Sequence, residues 1–320
     1  LFFALGFISL FMGYQVVPFA ILFLVVSVFS LILARWNMKK RSEGEKPLLD
    51  WGLSKTILKK SLPVCGIFLF SYIYFRIDVV LVYFLIGDAE TGWYNAAFKW
   101  VEVLALLVAS IRSALFPTLS RVYSDPGNQF QSICKEAVRY LFFIGIPLTV
   151  GTIALAPELV KLLYGDLYEM SVQILQIMML GFFLICVNEF VIYLLLSADR
   201  FSEMLKVVLL GSVLNIVLNI LVIPEWGVIG AAAVAGLTEL FLFFMLYNCM
   251  GRISGAIPFF SLIWRPALAS VVMGFALKQV SWPLFPLIFA GAGVYLVLLL
   301  LLRAFNEHDF QVMRNIFNRA

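Results

Sequence analysis

Arg76 and Asp78, then Lys99 and Glu102, stand inside two apolar runs of spanning length joined by the short segment GDAETGW. A charge near the centre of a bilayer costs roughly 2.5–3.5 kcal/mol on insertion scales, against about 0.3–0.6 kcal/mol returned by each Leu or Phe. Such groups need a partner, a wet cavity, or both. Asn95, Lys99 and Glu102 fall at i, i+4 and i+7 of one helical face, which Ser113 continues, so Lys99 and Glu102 are able to pair within their own helix. Arg76 and Asp78 are two residues apart and project to different faces, one toward a cavity and the other against a neighbouring helix. A guanidinium fork beside an ammonium point charge suits an anionic ligand, and phosphate oxygens match it best.

Further polar groups recur in later apolar runs. Ser212, Asn215 and Asn219 share one helical face, Asn188 and Glu189 interrupt the run Ser171 to Ser197, and Glu239 lies near the centre of the run Val228 to Cys249. Glu189 and Glu239 are candidates for a proton or cation site, set against a structural carboxyl capped by an amide. Arg112, nearer the end of its run, either snorkels to the interface or joins the cavity.

The residue types exclude most other chemistry. The one histidine, His308, lies in the C-terminal tail, and there is no P-loop, HExxH or glycine-rich nucleotide turn. Cys65, Cys134, Cys186 and Cys249 are far apart, in or beside apolar runs, and fit neither a disulfide framework nor a zinc site. No enzyme, metal, cofactor or nucleic-acid partner is expected. Transport would then be driven by an ion gradient or by the substrate's own gradient.

The elements that must position these groups are membrane helices. At 63% hydrophobic and 13% charged residues, the 320-residue chain is far more apolar than a soluble domain, and its runs have helix length rather than the ten-residue alternation of a barrel. The expected fold is all-α, a polytopic bundle of about nine full spans and one partial span. The partial span is Leu1 to Met12, so the chain reads as beginning partway through a helix. A full span from Tyr14 to Ala34 follows. The polar stretch from Arg35 to Pro63 holds eight Lys and Arg and ends in WGLSKTILKK, which has the mixture of an interfacial helix. After the two runs that carry Arg76 to Glu102 come Tyr140 to Pro157, with a kink expected at Pro147, then Ser171 to Ser197, Lys206 to Pro224 and Val228 to Cys249. Arg265 to Val280 and Pro283 to Leu302 complete the set. With the Arg35 to Pro63 stretch placed inside and the spans alternating, eighteen of the 23 Lys and Arg fall on the inner side; only Lys161 and Lys278 fall outside. The C-terminus is therefore expected in the cytoplasm.

The stretches YIYFRIDVVLVYFLIGDAETGWYNAAFKWVE, ALFPTLSRVY and PELVKLLYGDLYEMSVQILQIM resemble the polysaccharide biosynthesis proteins that flip lipid-linked O-antigen and exopolysaccharide units. These belong to the superfamily that also holds murein-precursor flippases and multidrug exporters. The similarity is carried by Gly52 to Arg200, and beyond that by hydropathy. It implies two six-helix lobes that rock about a central cavity, with residues 1–35 ending the first lobe, 36–62 a basic linker, 63–249 the second lobe, and 250–320 an accessory helix pair and tail. It further implies movement of a polyprenyl-diphosphate oligosaccharide to the outer leaflet of the cell membrane, with membrane lipid and a coupling Na+ or H+ as partners. On this reading Arg76 and Lys99 contact diphosphate or acidic sugar, Asp78 and Glu102 orient them, and Asn215 and Asn219 bond sugar hydroxyls. The alternatives are a cation-coupled drug exporter of the same superfamily, which would want an acidic, aromatic cavity and against which two cavity cations argue, and a membrane glycosyltransferase or polymerase, which would want a large outer loop where this chain offers short ones.

Overall fold

The computed structural model describes residues 16–41, 50–124, 129–255 and 257–305, and among these every regular element is a helix. The chain divides into two compact units, Leu1–Leu58 and Lys59–Ala320. In the first, α1 (Val16–Arg41) exposes Phe23, Leu24, Leu31 and Ile32 around its circumference. Its two hydroxyls are satisfied inside the helix: Ser27 donates to the Phe23 carbonyl and Ser30 to that of Val26, both at 2.8 Å. That is the polar economy a lipid-facing helix requires.

Asp50 caps the start of α2 (Trp51–Leu85), its Oδ1 accepting from the Gly52 and Leu53 backbone N–H at 2.8 and 3.2 Å. The WGLSKTILKK segment, expected as a separate interfacial helix, forms the first turns of α2 instead. At about 1.5 Å per residue, the 35 residues of α2 reach well past the ~30 Å hydrocarbon core, so the lysine-bearing turns need not enter it.

The second unit is a bundle built on α5 (Met170–Ser197), the most buried of the described spans. Phe182, Phe190, Leu194 and Leu195 of α5 are all sealed in the core. Around it pack α3 (Asp88–Ser124), α4 (Gln129–Tyr164) and α6 (Phe201–Ser254). Trp93 Nε1 donates to the Leu167 carbonyl and Ser171 Oγ to the Trp93 carbonyl, tying the start of α3 to the start of α5. Helix α4 passes through both Pro147, where a kink is expected, and Pro157 as one element.

Helix α6 is two spans joined without a loop. Gly227 alone departs from helical geometry, at φ 57 and ψ −146, and reverses the chain between residues 201–226 and 228–254. The sequence had indicated two separate runs here, and the connection is this single residue. A side chain on Gly230 would stand 2.7 Å from Val222 Cγ1 and 2.8 Å from Trp226 Cβ, so the return span fits against the outgoing one only because Gly230 has none. The α5 and α6 backbones approach just as closely: a Cβ on Gly181 would lie 3.2 Å from the Gly236 Cα.

Helices α7 (Phe259–Lys278) and α8 (Leu284–Leu301) form a pair on the α4 side of the bundle. Their contact has its own apolar centre, in which Met273, Leu277, Tyr295 and Leu299 meet Leu155 and Leu159 of α4. Tyr295 Oη donates to the Phe143 carbonyl at 2.9 Å. The expected partial span Leu1 to Met12 and the tail from residue 306, which includes His308, lie outside the described residues.

Candidate substrate and coupling site

Arg76, Asp78, Lys99 and Glu102 of α2 and α3 separate into two environments. Glu102 holds both cations, accepting from Arg76 Nη2 on Oε1 and from Lys99 Nζ on Oε2, each at 2.6 Å. The side chains remain partly open, at 37% for Arg76, 57% for Lys99 and 26% for Glu102. Arg76 also lies over the Phe98 ring, 5.8 Å from its centroid. One carboxylate shared between two cations leaves a net positive charge on an accessible face, and its rigid guanidinium is braced for a fork-shaped contact.

Asp78 faces away from this triad. It is buried, receiving the Tyr94 hydroxyl on Oδ2 at 3.0 Å and the Asn219 amide on Oδ1 at 2.8 Å. The same Asn219 Nδ2 lies 3.0 and 3.2 Å from the backbone and side-chain oxygens of Asn215. Both asparagines are fully buried. Asp78, expected to orient Arg76 or Lys99, takes its hydrogen bonds from Tyr94 and Asn219 instead, and of the two asparagines expected to bond sugar hydroxyls, Asn219 donates to Asp78 while Asn215 accepts from Asn219. The i, i+4 spacing on α6 that put the two amides on one face lets Asn215 brace Asn219, which reaches Asp78 of α2.

Glu239 forms a second buried acid. Tyr74 Oη donates to its Oε1 at 2.6 Å, and Asn188 Nδ2 reaches both its Oε2 at 2.7 Å and its backbone carbonyl at 2.9 Å. Asp78 and Glu239 border one cavity of about 40 Å³ between α2, α5 and the second half of α6, with Tyr74 and Met178 among its walls. Glu239 and Tyr74 also border a larger cavity of about 200 Å³, lined further by Ser71, Asn188, Glu189 and Tyr193. Glu189 thus borders the same cavity as Glu239. The four neutral donors named here, Tyr94, Asn219, Tyr74 and Asn188, give both acids hydrogen bonds without neutralising their charge.

Tyr74 and Tyr94 were not singled out from sequence. Tyr74 stands four residues before Asp78, so one turn of α2 carries a hydroxyl for one acid and a carboxylate of the other; aromatic abundance concealed that pairing. Ser113, expected to extend the Lys99 face, spends its hydroxyl on the Ala109 carbonyl at 2.8 Å. The Arg112 side chain lies outside the described residues.

Several apolar helices of spanning length and buried acids satisfied by neutral donors define a polytopic integral membrane protein. The chain belongs to the lipid II flippase MurJ family, which it matches over residues 2–303. It is similar to the "Probable low-salt glycan biosynthesis flippase Agl15" of Haloferax volcanii, with 23% identity over 205 residues that cover 59% of this chain and 43% of the relative. It is also similar to a "Putative O-antigen transporter" of Shigella dysenteriae, at 27% identity over 192 residues covering 59% and 48%. The chain thus spans less than half the length of these two curated relatives. Among solved structures, "Lipid II flippase MurJ, inward closed conformation" has the same fold, with a TM-score of 0.76 at 20% identity over 92% of this chain and 63% of that one.

Proposed function

We propose that this chain forms the second lobe of a flippase that carries a polyprenyl-diphosphate-linked oligosaccharide from the cytoplasmic to the outer leaflet of the cell membrane by alternating access. The observation that carries this reading is the Arg76–Glu102–Lys99 triad, two cations held on one carboxylate at a partly open face. Diphosphate entering this face would exchange the single Glu102 carboxylate for several phosphate oxygens, with Arg76 supplying the fork and Lys99 the point charge. No covalent step is required. The names of the relatives support a glycan-bearing lipid as substrate.

In this scheme residues 1–35 end the first lobe, 36–62 link it to the second lobe at 63–249, and 250–320 add the accessory pair and a cytoplasmic C-terminus. Asp78 and Glu239 are the coupling candidates. Each buries a carboxylate among neutral donors, and a lone buried charge is costly, so H+ or Na+ is the natural counter-charge. Glu189, on the cavity that Glu239 also borders, would pass the ion between that cavity and Glu239. The test is reconstitution of the full-length protein in vesicles with a fluorescent polyprenyl-diphosphate oligosaccharide. Arg76→Ala combined with Lys99→Ala is expected to slow flipping at least ~10-fold, the minimum for loss of one charge-assisted contact at about 1.5 kcal/mol. Flipping at the unaltered rate would remove both residues from the mechanism.

A further inference from the structure

Asp78 and Glu239, each held by neutral donors of its own, face the same cavity of about 40 Å³. Tyr74 links the two: it lines the cavity, stands one turn before Asp78 on α2, and donates its hydroxyl to Glu239. The other walls are mostly apolar, Phe98, Val101 and Met178 among them, and no Lys, Arg or His lines the space. Arg76 lies over the Phe98 ring and is bonded to Glu102. The remaining titratable groups nearby are neutral donors or acids: Tyr94 bonded to Asp78, Cys186 of α5 near Glu239, and Glu189 on the larger cavity. Two carboxylates on one apolar space with no cation repel each other, and a single proton between them relieves that repulsion.

A water fits between the acids. The cavity exceeds the ~10–15 Å³ that a water requires and offers it Tyr74, Asp78 and Glu239 as polar partners. Beside each acid is an amide oxygen that lacks a donor: Asn219 and Asn188 give N–H to Asp78 and Glu239, and their Oδ1 atoms are buried with no hydrogen-bond partner. Gly236 keeps the space open, since a Cβ there would meet nothing within 4 Å. Glu239 and Tyr74 also line the cavity of about 200 Å³, so Glu239 stands between that larger space and the small one that Asp78 borders.

We infer that Asp78 and Glu239 hold one proton between them, exchanged through a water in this cavity, so that the ion taken by the pair is H+. Tyr74 and Asn188 reach Glu239 at 2.6 and 2.7 Å, lengths of bonds to an ionised carboxylate, whereas Tyr94 stands 3.0 Å from Asp78. Asp78 therefore carries the proton and Glu239 the charge. In the exchange, the Asp78 O–H bond breaks as water takes its proton, and the same water gives one of its own to Glu239. The water is regenerated and the pair keeps one negative charge. A metal cation would need a shell of oxygen ligands that these largely apolar walls do not offer. The inference deepens the reading of Asp78 and Glu239 as coupling residues and rests on it for the link to transport, but not for the shared proton itself.

The experiment uses the full chain in nanodiscs, without substrate, and follows the infrared C=O stretch of the protonated acid as pH is raised. Asp78→Asn should remove this band. Glu239→Gln takes away the neighbouring charge, and the pH at which the Asp78 band disappears should fall by at least about one unit, the mark of a coupled pair. Gly236→Ala puts a methyl in the water's place without a clash and serves if Glu239→Gln fails to fold. It should slow exchange of the acid proton in D2O about 10-fold, as for one lost bridge worth ~1.4 kcal/mol. Three results would overturn the inference: a band unmoved by Glu239→Gln, exchange at the unaltered rate in Gly236→Ala, or an equal shift in Glu225→Gln, an exposed acid away from the cavity. Loss of the band when Na+ replaces choline would also overturn it, assigning the pair to a metal ion. A shared proton together with unaltered flipping in Asp78→Asn would uphold it and remove the pair from transport.

Discussion

Removing the Tyr74 hydroxyl isolates a single interaction in the buried acid pair. Tyr74→Phe deletes one oxygen, keeps the ring, and leaves Glu239 Oε1 without the donor that sits 2.6 Å away. Because Glu239 is only 6% exposed, water does not readily replace that donor. The cost of orphaning such an acceptor is about 1–3 kcal/mol, or about 5- to 150-fold in the unfolding constant. Asn188→Ala removes the donors to both Oε2 and the Glu239 backbone carbonyl, and its cost should lie at or above the top of that range. In a Glu239→Gln background the acceptor is a neutral amide, and the same Tyr74→Phe change should cost about 0.5–1.5 kcal/mol, as for a neutral pair. The assay is reversible unfolding in mixed detergent micelles, run as a double-mutant cycle on Tyr74 and Glu239. A Tyr74→Phe effect below 0.5 kcal/mol, or equal effects in the two backgrounds, would refute the claim that Glu239 depends on this bond for its placement.

Two more outcomes follow from the same geometry. Glu102→Gln should change stability by less than about 1 kcal/mol, since both ion pairs are partly solvated, while altering the apparent affinity for a diphosphate-bearing lipid in the vesicle assay. Comparable losses in stability and transport would make the triad structural. Gly230→Ala should destabilise by about 1–3 kcal/mol through overpacking against Val222 and Trp226, whereas Gly236→Ala, whose new methyl meets nothing within 4 Å, should stay within about 0.5 kcal/mol on the same unfolding assay.

The helical class was readable because each span needs about twenty apolar residues, a length signal that survives in any sequence context; of the nine full spans expected, six helices among the described residues are long and apolar enough to cross a membrane. The break at Gly227 was visible as PEWG, but not its brevity, which depends on a positive φ that composition does not reveal. The pairing of Lys99 with Glu102 was local and therefore legible at i, i+3. Arg76 finding that same Glu102 was not, since it depends on the rotation of α2 against α3. Asn215 and Asn219 show the limit most clearly. They share a face, yet a face has no address until the partner helix is known, and here Asn219 meets a buried aspartate while Asn215 supports Asn219. Glu239 was identified as an isolated acid, while its partners come from two other helices more than fifty residues away in sequence.

The one-residue reversal at Gly227 also constrains how the protein can be made and probed. Two spans with no intervening loop leave no spare chain at their tip, where Glu225 and Trp226 stand exposed beside Gly227. A tag or protease site placed there would prise the hairpin apart, so any topology reporter for this half of the molecule belongs at the broader connection between Tyr164 and Met170.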